Sequence, residues 1–160
     1  KHQHDEAAEQ KRHHQIALPH DLFAIGCLVH ASAPWFAASR STTSAANSCL
    51  YCVVAHGAIL RIYAKNPRVA DQVAVNYRKA EITPRQQAML AFALKVATDS
   101  SALADADYDA VRAHGYSDED LWDIGAIAAF FALSNRMANL SSMMPNPEFY
   151  LLGRVPRSKS

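Results

Sequence analysis

Glycine is scarce in this chain, with five residues in 160. None of them clusters into a loop that would cradle a phosphate, so a P-loop or dinucleotide-binding turn has nothing to form from, and no organic cofactor is expected. Cysteine is scarcer still, with three residues, at positions 27, 49 and 52. An odd, low count argues against the disulfide framework of a small secreted domain. An excess of one charge is missing as well. Sixteen basic against fifteen acidic residues leave a formal net charge of +1, which gives no electrostatic basis for a nucleic-acid partner. Long apolar runs are absent too. The stretch Leu22–Val29 falls well short of the roughly 18 residues a membrane span needs, and it lacks the small-residue cleavage pattern of a secretory signal. These absences point to the cytoplasm, with no membrane association. No strand-like alternation is long enough to build a sheet, and there is no internal repeat.

What is present is half hydrophobic and about one-fifth charged, the composition of a globular domain with a real core. From Thr43 onward the pattern is helical. Asn47 or Ser48 is placed to cap a helix running to about Lys65. Asn66-Pro67 reads as a second cap with proline at the first helical position, followed by Val69, Val73 and Tyr77 on one face. Thr83-Pro84 repeats the device ahead of Met89, Leu90, Phe92, Ala93, Leu94 and Val96. A shorter helix from about Asp105 stops at Gly115. Ser117 opens the last long helix, with Asp118, Glu119 and Asp120 where the dipole favours acids. Its stretch Ile124–Leu133 is apolar nearly all round and is expected to lie centrally. Beyond it Pro145, Pro147 and Pro156 break any helix, and Phe149–Leu152 is suited to docking on the body or on a neighbouring subunit. The expected fold is all-α, a single-domain helical bundle.

The informative segment is Asn47-Ser-Cys49-Leu-Tyr51-Cys52-Val-Val-Ala-His56-Gly57. On a helix, Cys49 and Cys52 lie three apart and Cys52 and His56 four apart, so all three share a stripe. A thiolate is the reactive form of cysteine, and both a helix N-terminus and a nearby imidazole favour it. The second thiol can then resolve an oxidised first one into a disulfide. Two blander readings stand beside this one. The thiols can be inert core residues, or Cys49, Cys52 and His56 can join Cys27 and His30 around a zinc ion, although structural zinc wants four ligands and three of these would come from one helix. No metal is the expectation. His2, His4, His13 and His14 read as a solvated end, and His114 as support for a helix C-terminus.

These residues resemble the active-site motif of alkylhydroperoxidase D-like proteins, within the wider carboxymuconolactone decarboxylase-like group. The resemblance reaches beyond Cys49-x-x-Cys52-x-x-x-His56-Gly57. Ala58-Ile-Leu-Arg61, Ile82-Thr-Pro-Arg85, Ser117-Asp-Glu-Asp120-Leu-Trp122, the run from Phe130 to Ala138 and the tail Pro145-Asn-Pro-Glu-Phe149-Tyr150 resemble the subgroup described as peroxidase-related. It covers about residues 43–154. It implies an all-helical homo-oligomer, a dimer or larger, that reduces hydrogen peroxide or organic hydroperoxides through a dithiol–disulfide cycle fed by a dithiol reductant. It also implies that Cys52 is the peroxide-attacking cysteine, Cys49 the resolving one and His56 the histidine of a proton relay. A disulfide reductase and a non-catalytic, redox-sensing helical oligomer are the competing functions.

Two positions depart from the family pattern. Tyr51 stands where the peroxidase has a second histidine, in a supporting place beside Cys52. Ala37 stands where the relay glutamate is expected, and the sequence from Leu22 to Ala70 contains no Asp or Glu. A carboxylate for His56 would have to come from elsewhere, such as the last long helix or another subunit. The change falls abruptly at residues 42–43. Residues 1–42 are divergent, hold six of the eight histidines, and are expected to be poorly ordered at their polar start; residues 155–160 form a tail. Either the segment diverged while still packing as helices around Leu22–Val29, or the reading frame or start was displaced upstream of Thr43. Translating the gene there in the other frames separates the two. A displaced frame requires a family-like helix bearing a glutamate, and finding none in any frame eliminates it.

Overall fold

The computed structural model describes residues 34–154. Over that span the chain is an all-α bundle. Its helices are α1 (Pro34–Ala46), α2 (Leu50–Ala64), α3 (Val69–Asn76), α4 (Pro84–Asp99), α5 (Asp105–Arg112) and α6 (Asp118–Leu140), with short 3-10 turns at Tyr77–Lys79, Ser100–Ala102 and Pro147–Tyr150. Cys27, His30, the N-terminal histidines and Leu22–Val29 lie outside the described residues. No helix among the described residues is long and apolar enough to cross a membrane.

Local chemistry sets most of the helix starts. Thr83 and Gln86 exchange side-chain-to-backbone hydrogen bonds at the head of α4, and Ser117 and Asp120 do the same at the head of α6. Gly115, at φ +79, takes the left-handed turn between α5 and α6. Asn66-Pro67 behaves differently from expectation. Asn66 Oδ1 accepts from the Arg68 N–H at 2.9 Å, forming an Asx turn, and α3 begins only at Val69. The fourfold spacing holds nonetheless, with Val69, Val73 and Tyr77 all buried.

The centre of the bundle is α1, which packs against α2, α3, α4 and α6. Its buried residues are small: Ala37, Ala38, Ser39, Ser41, Thr42, Thr43 and Ser44. Small side chains let several helices approach one axis closely. The long helix α6 is therefore less central than its composition suggests. One side, through Ile124, Ile127, Ala128 and Phe131, is buried, while Phe130 and Leu133 remain 62% and 60% exposed. Among the described residues, only one face of α6 is buried against neighbours.

After α6 the chain returns to α2 by polar rather than apolar contacts. The buried Arg61 guanidinium donates from Nε to the Leu152 carbonyl and from Nη2 to the Phe149 carbonyl, both at 2.8 Å. Arg154 makes a bidentate pair with Asp71 at 2.7 Å for each contact. Tyr150, Leu151 and Leu152 stay exposed. Gly153 makes the approach possible. At φ +74, a Cβ there would lie 2.7 Å from Arg61 Cβ and 3.0 Å from the Ile62 nitrogen. Gly153→Ala should lift this segment from α2 and cost roughly 1–3 kcal/mol. Urea denaturation together with amide exchange across residues 147–152 checks it; unchanged stability and protection would show that the close approach is not needed.

Candidate active site

The geometry of the cysteine pair begins with the way α1 ends. The Ser48 N–H donates to the Ala45 carbonyl and the Cys49 N–H to the Ser44 carbonyl, each at 3.0 Å, with Ser48 at φ +52. This pair of bonds is a Schellman closure. Asn47 and Ser48 therefore terminate α1 rather than cap α2, because α1 continues to Ala46 and leaves no room between the helices. The cap of α2 falls to Cys49. Its sulfur accepts the Cys52 backbone N–H at 3.4 Å, in the place a hydroxyl or carboxylate oxygen usually holds. The two cysteines are not successive residues of one helical stripe, as the spacing suggests; Cys49 is the cap and Cys52 lies in the first turn.

Both thiols are free, and they are only 1% and 2% exposed. They form a small buried cluster with Ala138 of α6, against which the half-buried Tyr51 packs. Burial, followed by the hydrogen bond with Cys49, pushes the Cys52 thiol up to about 11, while the side chains of Asn135 and Ser44 act in the opposite direction as hydrogen-bond partners. His56 lies four residues beyond Cys52 on α2, a spacing that puts both on one face. Its ring meets Phe131 edge-on, with centroids 4.7 Å apart and planes at 87°. Burial, and then the Arg40 guanidinium, lowers His56 to about 4. The imidazole is therefore neutral at neutral pH, and it holds an added proton only weakly. Its Nδ1 is buried without a hydrogen-bond partner among the described residues.

The structure thus brings Cys49, Cys52 and Tyr51 together and sets His56 one turn along. Ala37 is a core residue and supplies nothing to His56. No group of three His, Cys, Asp or Glu side chains among the described residues is placed to hold a metal ion. Sequence reasoning missed Asn135, Ser44, Arg40 and Phe131, and read Asn47 as a cap of α2. For Asn135 a signal existed: it is a carboxamide on the stripe otherwise made by Ile124, Ala128, Phe131 and Ala138, where every other side chain is apolar.

No protein-family profile matches the chain, and no curated protein does either. Solved structures similar to it include two peroxidase-related proteins. One is described as an alkylhydroperoxidase AhpD core, an uncharacterized peroxidase-related protein from Ralstonia eutropha, with 64% identity and a TM-score of 0.76 over 78% of this chain and 65% of that one. The other is an uncharacterized peroxidase-related protein from a Silicibacter species, with 37% identity and a TM-score of 0.73 over 76% of this chain and 63% of that one. The chain thus spans just under two thirds of the length of either relative.

A pH dependence follows from His56. Because its proton is held less tightly in the folded chain than in the unfolded one, the stability owed to the neutral imidazole is whole above about 6.5 and is lost as pH falls toward about 4. Between pH 7 and pH 4 the native protein should lose roughly 3 kcal/mol more than a His56→Asn variant. Urea denaturation of both proteins at the two pH values tests this, and equal losses would show that protonating His56 carries no such cost.

Proposed function

The chain belongs to the alkylhydroperoxidase D-like, peroxidase-related family, and on that premise we propose that it is a thiol peroxidase, reducing hydrogen peroxide or an organic hydroperoxide through a Cys49–Cys52 dithiol–disulfide cycle. The observation that carries this reading is the 3.4 Å contact of the Cys49 sulfur with the Cys52 N–H, beside a histidine kept neutral. One thiol lies at the backbone of the other, with a proton acceptor one turn away.

His56 takes the Cys52 proton. The thiolate attacks one peroxide oxygen, so an S–O bond forms and the O–O bond breaks. The leaving alkoxide or hydroxide recovers the proton from His56, and Cys52 becomes a sulfenic acid. The Cys49 sulfur then attacks Cys52, forming the S–S bond and expelling water. The peroxide has gained two electrons and the thiol pair has lost two, which an external dithiol reductant restores by exchange. A thiol pushed up to about 11 is almost wholly protonated at rest, so the acceptor matters more here than in a site with an acidic cysteine. No organic cofactor takes part. A reduced thiol pair suits a reducing compartment, and the cytoplasm is the location we assign.

The competing reading, a redox-sensing oligomer, draws on the burial of both thiols. Assembly itself is part of our proposal. Phe130, Leu133, Met137 and Leu140 are all exposed on α6 at the alternating three- and four-residue spacing of a helix–helix seam, a face suited to a second copy of the chain.

Peroxide consumption with a dithiol reductant is the direct test. Turnover should fall to background in Cys52→Ser, and Cys49→Ser should accumulate a trappable sulfenic acid. His56→Asn should lose about 10²–10⁴-fold at pH 7, and its residual rate should climb about tenfold per pH unit as free thiolate forms. Equal background rates in the native protein and all three variants would remove the peroxidase reading.

A further inference from the structure

The turn that places the cysteines is fastened to α6 by a chain of carboxamides. Asn47 Nδ2 donates to the Thr43 carbonyl at 3.0 Å and to Asn135 Oδ1 at 3.2 Å. Asn135 Nδ2 donates to Ser44 Oγ at 3.0 Å. One turn further along α6, Asn139 Nδ2 donates to the Asn47 carbonyl at 3.2 Å, and Ala138 packs against the cysteine pair. Asn135 and Ser44 are both wholly buried.

The orientation of these amides follows from the bonds themselves. A backbone carbonyl only accepts, so the group Asn47 turns toward Thr43 is its NH₂. The second N–H of that group then meets the oxygen of Asn135, which fixes the Asn135 nitrogen on the opposite side, toward Ser44. That nitrogen has two hydrogens. One is taken by Ser44 Oγ, which leaves the other to give, and Asn135 is among the side-chain hydrogen-bond partners that act on Cys52. Ser44, having accepted from Asn135, keeps its own hydroxyl proton and is another of those partners.

We infer that Asn135 is the positioning residue for Cys52: its carboxamide, locked in a single orientation by Asn47 and Ser44, directs an N–H at the Cys52 sulfur and stabilises it as the thiolate. This rests on the reading of Cys52 as the attacking thiol. Neutral donors of this kind stabilise an anion without bringing a counter-charge into the core, since a hydrogen bond to a charged group is worth more than one between neutral groups. They suit a site in which Ala37 occupies the place of a relay carboxylate. The same two side chains, Asn135 and Ser44, are the groups that oppose the effect of burial on Cys52. A purely structural asparagine would need only its links to Asn47 and Ser44, and losing it would leave the acidity of Cys52 untouched.

The test reads that acidity directly. In a Cys49→Ser background, alkylation of Cys52 by iodoacetamide is followed from pH 7 to pH 12 by mass spectrometry of the peptide that contains it. Asn135→Ala should slow alkylation at pH 8 by about tenfold or more and move the midpoint of the profile upward. Asn47→Ala removes only the anchor and not the donor, and should move the midpoint the same way by less; Ser44→Ala should also raise it. An unchanged midpoint in an Asn135→Ala protein with native helicity and a cooperative melt overturns the inference. If that variant does not fold, unchanged midpoints in both Asn47→Ala and Ser44→Ala overturn it instead. Peroxide turnover of the unaltered protein is measured alongside. Shifted midpoints without turnover would remove the peroxidase reading and leave Asn135 in its role, whereas turnover with unshifted midpoints would do the reverse.

Discussion

The side chain of Asn135 is out of reach of solvent, so the hydrogen bonds it gives up on leaving water have to be recovered inside the bundle. It recovers them from Ser44 in the last turn of α1 and from Asn47 just beyond it, at the entry to the α1–α2 junction. This contact sets the register of α6 against that junction. Displacing Asn135 from this contact would leave its carboxamide and the Ser44 hydroxyl without these partners in the interior, a penalty apolar packing alone does not impose. Because the junction also carries Cys49, the placement of the thiols and the closure of the bundle depend on one polar contact.

Around that contact the charges are unusually one-sided. No acidic residue occurs between Leu22 and Ala70, so α1 and α2 contribute cations and no carboxylate of their own. Arg40 lies over the Phe131 ring at 5.4 Å, and Arg61 turns to backbone carbonyls. A positive environment makes a second positive charge on His56 unfavourable. Burial first, and Arg40 second, keep the imidazole neutral, while burial keeps the Cys52 thiol protonated.

How far the sequence speaks for itself differs from element to element. Thr83 with Gln86, and Ser117 with Asp120, are local signals, and both caps formed where the residues stand. The stripe Val69, Val73, Tyr77 was legible for the same reason. The pairing of Cys49, Cys52 and His56 on one short segment was legible as chemistry, but not the role of Cys49 as a cap. That role depends on where α1 ends, and α1 is a helix of Ala, Ser and Thr with no strong apolar period. Asn66-Pro67 misled because asparagine serves an Asx turn as readily as a helix cap. The outer face of α6 was invisible in principle, since an all-apolar stretch does not say which of its sides finds a neighbour. Asn135 was readable only once α6 had a buried side.

The C-terminal segment illustrates a different economy. Arg61 holds it through the carbonyl oxygens of Phe149 and Leu152, and every residue type carries that group. The guanidinium therefore recognises the course of the backbone and not the identity of its side chains, Gly153 excepted. Lineages that kept Arg61, the turn and that glycine would be free to change Tyr150, Leu151 and Leu152, and with them the outward face beside the cysteine helix. A segment anchored this way can acquire new neighbours by ordinary drift while the fold beneath it stays the same.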